Sequence, residues 1–150
     1  MRAVIQRVSF ASVKIDDNIK GQIGPGLLIL LGIEDADNNE DVNWLTRKIC
    51  GLRVFSDEYG KMNLDLCGIN GELLVVSQFT LHASTKKGTR PSFIKAERPE
   101  KAIPLYESFI SECEKITGKQ AQTGEFGAMM KVELLNDGPV SIMIDTKDKK

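Results

Sequence analysis

The segment SQFTLH, which starts at Ser77, places side chains capable of chemistry directly after the apolar run LLVV. If the alternation of a strand continues through it, Gln78, Thr80 and His82 point to one face. Ser77 and Phe79 then point to the other face. Thr80 and His82 could serve as nucleophile and base for hydrolysis of a small ester. Alternatively, the strand simply frays at a polar end, or its backbone N–H groups form an oxyanion hole, which needs no titrating side chain.

A second candidate is the segment NDGPV, residues 136–140, which separates the apolar runs KVELL and VSIMID. The simplest interpretation is a hairpin turn between two strands, because Asn, Asp and Gly favour turns. Pro139 fits that turn poorly, since it lacks a backbone N–H. A Gly-Pro bond favours the trans form by only about 0.5–1 kcal/mol. In the cis form, the carbonyls of Gly138 and Pro139 could face a common point and bind an ammonium group.

The third candidate is TGEFGAMM, residues 123–130. Phe126, Met129 and Met130 are typical of core or turn material. Their alternative role is an apolar surface for a nucleobase, since an aromatic or polarizable side chain can cover the face of any base.

Composition favours one domain, residues 1–150, with a sizeable core, because 41% of the residues are hydrophobic. The formal net charge of −1 argues against a protein that coats nucleic acid nonspecifically. Any contact with RNA phosphates must therefore be local. A long loop offers the cations for it: Lys86, Lys87, Arg90, Lys95 and Arg98.

Cysteine and histidine usage restricts the chemistry further. Cys50, Cys67 and Cys113 form no C-x-x-C pair, so we expect reduced, buried thiols. A single histidine cannot build a multi-histidine metal site, and we expect no metal and no cofactor. The sequence lacks a signal-peptide core and an apolar run long enough for a membrane span, so we expect a cytoplasmic protein without membrane contact.

The remaining patterns predict the elements that position these groups. RAVIQRVS and SVKID alternate as two paired strands, LLILLGI reads as the central buried strand, and RVF and GELLVVSQFTL predict two more. A first amphipathic helix follows N-caps at residues 37–39. A second has Pro104 in its first turn and ends at Gly118. Seven or eight strands with two helices predict an α+β fold, a mostly antiparallel, curved, barrel-like sheet with the helices packed outside.

Taken together, MRAVIQRVSFASVKI, KICGLRVFSDEYGKMN, VVSQFTL, KKGTRPSF and TGEFGAMMKVELLNDGPV resemble the D-aminoacyl-tRNA deacylase family, also called the D-tyrosyl-tRNA(Tyr) deacylase family, in the same order along the whole chain. The combination of SQFTL with NDGPV is specific. The resemblance implies a homodimer, with active sites at the subunit interface, that cleaves the ester at the aminoacylated tRNA 3′ end without a metal.

The resemblance also assigns roles to individual residues. Gly138 and Pro139 match a Gly-cisPro motif that reaches into the partner's pocket and holds the substrate's α-ammonium. Phe126 and the methionines Met129 and Met130 match the region that receives the terminal adenosine. The floor of the pocket matches a run of four residues: Ser77, Gln78, Phe79 and Thr80. Ser141 stands where the family commonly has threonine, which retains the hydroxyl.

These assignments imply a chiral filter. With the ammonium held by two carbonyls and the ester carbonyl held by donors near Ser77 and Gln78, an L-residue would direct its side chain into the backbone. Glycine has no side chain to reject, so we also expect hydrolysis of glycyl-tRNA, including glycine mischarged on tRNA(Ala). Two alternatives remain open: a noncatalytic dimer that binds the end of an RNA, and a small-ester hydrolase using Thr80 and His82.

Overall fold

The computed structural model describes all residues, 1–150, as eight strands, two α helices and one short 3₁₀ helix. The strands are β1 (Arg2–Ile15), β2 (Asn18–Ile23), β3 (Gly26–Gly32), β4 (Phe55–Ser56), β5 (Met62–Leu64), β6 (Glu72–Ser77), β7 (Gln122–Thr123) and β8 (Lys131–Asp145). The helices are α1 (Asn39–Cys50), the 3₁₀ helix (Phe79–His82) and α2 (Pro99–Thr117).

β1 organises the main sheet, whose order is β2-β1-β3-β6-β7 with β8 also paired to β1. β1 pairs antiparallel with β2, β3 and β8, whereas β3, β6 and β7 run parallel to one another. The far strands β2 and β7 approach closely: a Cβ on Gly21 would lie 3.0 Å from the Thr123 carbonyl oxygen. The sheet is therefore mostly antiparallel and nearly closed, which confirms the predicted barrel-like α+β architecture.

Two predicted strand pairs are single strands. RAVIQRVS and SVKID belong to the continuous β1, and KVELL and VSIMID belong to the continuous β8, so the prediction that NDGPV is a hairpin turn was wrong. Both strands stay extended because they pair with each other along most of their length, across register shifts near Val8. In the sequence, each irregularity interrupts the alternation of apolar and polar residues. In the structure, it is a bulge within a continuous strand.

The core has two layers. The larger cluster lies between the sheet and the two α helices and includes Ile29, Leu45 and Phe109. The smaller cluster includes Leu28 and Leu74. Since consecutive β3 residues enter different clusters, β3 is buried on both faces, as predicted for LLILLGI.

Both α helices form where the pattern predicts them. Asn38 caps α1 and accepts a hydrogen bond from the Glu40 N–H, and α2 ends at Gly118 in the left-handed conformation. The prediction that Pro104 lies in the first turn of α2 was wrong. The helix begins at Pro99, and Pro104 lies inside it. The helix tolerates Pro104 on its exposed face, where solvent can hydrate the carbonyl that loses its partner.

The cysteines are free, and two of them lie in the core. Cys50 and Cys113 are buried, as predicted, whereas Cys67 is exposed in the loop between β5 and β6. Neither α helix combines the length and the apolar character that a membrane span requires.

A polar cluster joins the C-terminal end of the described chain to α1, and we call it the Lys147 cluster. The Lys147 ammonium donates hydrogen bonds to both carboxylate oxygens of Asp41, at 3.0 and 2.8 Å, and lies 3.6 Å from Asp37. Burial raises the pKa of Asp41, but the hydrogen bonds from Lys147, Thr146 and Asn38 outweigh it and lower the pKa to about 2.

Candidate functional site

The segment after β6 leaves the strand conformation at Gln78. The backbone N–H of Gln78 donates to the Leu31 carbonyl at 2.8 Å, and the chain then enters the 3₁₀ helix. The prediction that Gln78, Thr80 and His82 share one strand face was therefore wrong, because the alternation of side chains ends with β6.

Thr80 and His82 consequently do not form a nucleophile and base pair. Thr80 is exposed, and its hydroxyl accepts a hydrogen bond from the Gln78 side-chain amide at 2.5 Å. His82 is only 2% exposed, and its Nε2 atom has no hydrogen-bond partner. No hydrogen bond connects the two side chains, so the structure does not favour the small-ester hydrolase.

The first turn of the 3₁₀ helix presents two unused backbone donors. No turn, loop, cap or side-chain hydrogen bond uses the N–H groups of Phe79 and Thr80, and their position at the start of the helix leaves them without an intrahelical partner. The N–H groups of Gln78 and Leu81 are bonded. Both residues are exposed, and Phe79 has 52% of its surface accessible. Two adjacent free N–H groups beside an aromatic ring are suited to bind a carbonyl oxygen that becomes negatively charged.

Two long-range contacts fix this turn. The ring of Phe79 packs edge-on against Phe93, with 5.2 Å between the ring centroids. The Arg2 guanidinium donates to the Leu81 carbonyl at 3.0 Å and to the Asp145 carboxylate at 2.7 Å. Arg2 therefore ties the 3₁₀ helix to the C-terminal end of β8, and the exposed donors are held by the sheet.

Residues 137–140 form an irregularity in β8, which we call the 137–140 bulge. Gln6 pairs with Ser141 and Val8 pairs with Asn136, so four residues of β8 lie opposite one residue of β1. The Gly138-Pro139 peptide bond is cis, and Gly138 has φ +120°. Both residues are exposed, and neither has a partner in the β1 register.

Arg7, the residue opposite the bulge, holds it in place. Its guanidinium donates to the Asp137 carbonyl at 3.0 Å and to the Val54 carbonyl at 2.6 Å, and its side chain is only 11% exposed. The Asn136 amide closes the bulge by donating to the Val140 carbonyl at 3.1 Å. Arg7 and Asn136 thus donate hydrogen bonds to the carbonyls of residues 137 and 140. No side chain donates to the carbonyls of Gly138 and Pro139.

Sequence reasoning missed Arg7. A signal was available, because Gln6 and Arg7 are two consecutive polar residues inside a strand of near period two. Such a break indicates an irregular pairing, but it does not identify the opposing residues.

Phe126 and the two methionines lie in different surroundings. Phe126 is half-buried and packs edge-on against Tyr106, whose hydroxyl donates to the Val75 carbonyl at 3.0 Å. Met130 packs with the smaller core cluster, and Met129 is 91% exposed. The methionines line a shallow cavity of about 240 Å³ beside the turn between β1 and β2.

Within this chain, the predicted site residues form separate groups. The 137–140 bulge makes no hydrogen bond or ion pair with residues 77–82. No group of three or more His, Cys, Asp or Glu side chains converges to hold a metal ion.

The chain is similar to one family of known proteins over nearly its whole length. The family model described as D-Tyr-tRNA(Tyr) deacylase matches residues 4–145. The chain is 63% identical to a D-aminoacyl-tRNA deacylase of Flavobacterium psychrophilum and 60% identical to one of Bacteroides fragilis, over 150 residues and the full length of both proteins.

Two solved structures share the fold. The c-Myc DNA unwinding element binding protein has a TM-score of 0.91 at 40% identity, covering 97% of this chain and 99% of that one. A probable eukaryotic D-amino acid tRNA deacylase has a TM-score of 0.84 at 15% identity, covering 95% and 97%, which shows likeness of fold alone. With the family model spanning nearly the whole chain and relatives this similar over their full lengths, the chain belongs to the D-Tyr-tRNA(Tyr) deacylase family.

Proposed function

We propose that this protein hydrolyses the ester bond between a D-amino acid and the 3′ end of its tRNA, and so proofreads chirality in translation. The observation that carries the proposal is full-length identity of 63% to a relative named D-aminoacyl-tRNA deacylase. The reaction takes place in the cytoplasm and involves no metal or cofactor.

The 137–140 bulge selects the D-configuration in this proposal. The carbonyls of Gly138 and Pro139 bind the substrate's α-ammonium, and their exposure and lack of side-chain donors support this role. An L-residue bound by the same ammonium and ester contacts would direct its side chain into the main chain. Steric exclusion of this kind is stronger than apolar fit, which discriminates by about 1–3 kcal/mol per methylene. Glycyl-tRNA, including glycine on tRNA(Ala), escapes exclusion and is hydrolysed.

A homodimer completes the site. The bulge of one protomer covers the 77–80 segment of its partner, which accounts for the separation of these groups within one chain. The outer face of β8 supports such a contact, because Leu135 and Met143 are 62% and 74% exposed beside the bulge.

The chemistry uses the backbone of the 3₁₀ helix. The N–H groups of Phe79 and Thr80 bind the oxyanion of the tetrahedral intermediate while water, assisted by the neighbouring 2′-hydroxyl of the RNA, attacks the ester carbon. Each such donor contributes about 2.7–4 kcal/mol in enzymes that depend on it. Ser77 and Gln78 form the floor of the pocket. The Gln78 N–H is bonded to the Leu31 carbonyl, so it stabilises the fold and does not bind the oxyanion.

The terminal adenosine binds near Phe126, Met129 and Met130. The exposed Met129 offers a polarizable surface for the base, and the half-buried Phe126 shapes the wall behind it.

The decisive experiment compares D-tyrosyl-tRNA with L-tyrosyl-tRNA at equal enzyme concentration. We expect release of D-tyrosine and no acceleration of L-tyrosine release. A noncatalytic RNA-binding module would release neither amino acid, and equal release of both would refute the chiral filter.

A second experiment tests the backbone mechanism with Thr80→Val. We expect kcat/KM on D-tyrosyl-tRNA to stay within about threefold of the wild type, because the hydroxyl donates no proton in this mechanism and its bond with Gln78 is exposed. Ser111→Ala, which removes an exposed hydroxyl on α2 far along the chain from the site, is the control. Loss of activity in folded Thr80→Val alone would make the hydroxyl part of the reaction.

A further inference from the structure

The loop between the 3₁₀ helix and α2 contains a defined projection, residues 84–92, which we call the basic finger. Its base is closed by two backbone hydrogen bonds between Ser84 and Ser92, of 2.7 and 2.9 Å. Near its tip, Gly88 has φ +65°, and a Cβ added to it would meet nothing within 4 Å. The finger is therefore an exposed loop on a fixed base.

The basic finger carries unpaired positive charge. Lys86, Lys87 and Arg90 are exposed and take part in no ion pair. Residues 83–96 contain no carboxylate, although the whole chain has a net charge of −1. By contrast, Lys101 and Lys115 on α2 both have acidic partners.

The base of the finger adjoins the two free backbone donors. Ala83 alone separates the finger from the 3₁₀ helix, and its N–H donates to the Thr80 carbonyl at 3.1 Å. On the other side, Phe93 packs against Phe79. These contacts hold the base of the finger beside the site where the ester would lie.

We propose that the basic finger binds backbone phosphates near the 3′ end of the RNA, a role that rests on the proposed function and extends it. The chemistry favours a polyanion because three cations project from a loop that offers no carboxylate to neutralise them. The ester and terminal nucleoside bind elsewhere, so the finger sets affinity for the RNA and leaves the chemical step unchanged.

The test uses two substrates that differ in phosphate content. One is D-tyrosyl-tRNA, and the other is D-tyrosyl-adenosine, the same ester on a nucleoside without phosphate. The finger variant combines Lys86→Gln, Lys87→Gln and Arg90→Gln. A matched control removes the same charge at three exposed cations outside any ion pair: Lys20→Gln, Arg47→Gln and Lys61→Gln.

We expect the finger variant to raise KM for D-tyrosyl-tRNA at least about tenfold with kcat unchanged. The slope of log KM against log salt concentration should become shallower by about 2, as three lost phosphate contacts on a single strand predict. Hydrolysis of D-tyrosyl-adenosine should match the wild type in both variants, and the control should match the wild type on both substrates.

The outcomes separate the two proposals. A wild-type protein that hydrolyses neither substrate refutes the proposed function itself. If the wild type is active and the finger variant keeps its KM and salt dependence, the finger does not bind phosphate. An equal increase of KM in the control variant would show that the effect comes from the net charge of the protein and not from the finger. Slower hydrolysis of D-tyrosyl-adenosine by the finger variant would mean that the finger shapes the pocket and does not bind phosphate. If an acidic protein binds the finger while the affinity for RNA is unchanged in the finger variant, that protein and not RNA is the partner of the finger.

Discussion

The 137–140 bulge and the Lys147 cluster use a cation in opposite ways. Arg7 donates to main-chain carbonyls and leaves Gly138 and Pro139 exposed at the surface. Lys147 donates to Asp41, whose side chain is 9% exposed, and so joins the C-terminal segment to α1. The first arrangement positions a piece of backbone for binding, whereas the second closes the fold. Perturbing each should therefore affect a different property.

Gly138→Ala should have the largest effect on activity. An added Cβ would overlap the Arg7 guanidinium, and φ +120° is unfavourable for any residue with a side chain. Because a displacement of about 1 Å can cost 100-fold in rate, we expect kcat/KM on D-tyrosyl-tRNA to fall at least about 100-fold.

Gly60→Ala is the control for this variant. Gly60 also has a positive φ, +75°, but a Cβ there would meet nothing within 4 Å. It should cost about 1 kcal/mol of stability and leave activity unchanged. Equal activity losses in both variants would show that conformational cost, and not displacement of Arg7, causes the effect.

Arg7→Ala should reduce both properties, with activity affected more. It removes one charge-assisted hydrogen bond to the bulge, at Asp137, and one to Val54 that anchors the guanidinium, so we expect kcat/KM to fall about 10- to 100-fold. The free energy of unfolding, measured with urea, should fall by about 1–3 kcal/mol.

Arg53→Ala provides the comparison, because Arg53 also donates to a backbone carbonyl, that of Asn63 in β5, at an exposed position. Full deacylase activity in both arginine variants would contradict the positioning role of Arg7.

Asp41→Asn should lower stability and spare activity. The pKa of Asp41 in the folded protein, about 2, lies below its ordinary value of 3.8, so the carboxylate stabilises the fold above pH 4. This contribution disappears as the pH falls from about 4 toward 2. We expect it to be about 1–2 kcal/mol, since the 38% exposure of the Lys147 side chain screens the pair.

Urea unfolding at pH 7 and pH 3 measures this contribution, with Glu40→Gln on the exposed side of the same helix turn as the control. The variant should lose stability at pH 7 and approach the wild type as the pH falls toward 2. A wild type and variant that differ equally at both pH values would place the effect in helix capping instead of the ion pair.

The sequence predicted most elements because their signals are local. The N-cap at Asn38, the end of α2 at Gly118 and the burial of β3 follow from residue types within one or two turns or strands. Pro104 shows the limit of such reasoning: periodicity located the helix, but Pro99 decided where it begins.

For the candidate site, the sequence by itself determined which segments matter, namely residues 77–80 and 136–140, and it made a Gly-Pro bond available at position 138. Only the tertiary structure decided how these segments are presented. Arg7 meets the bulge from 130 positions away along the chain, and Leu31 engages the Gln78 N–H and leaves those of Phe79 and Thr80 free. The physical reason is that a hydrogen bond between distant segments depends on strand register, which the whole sheet fixes and no local pattern encodes.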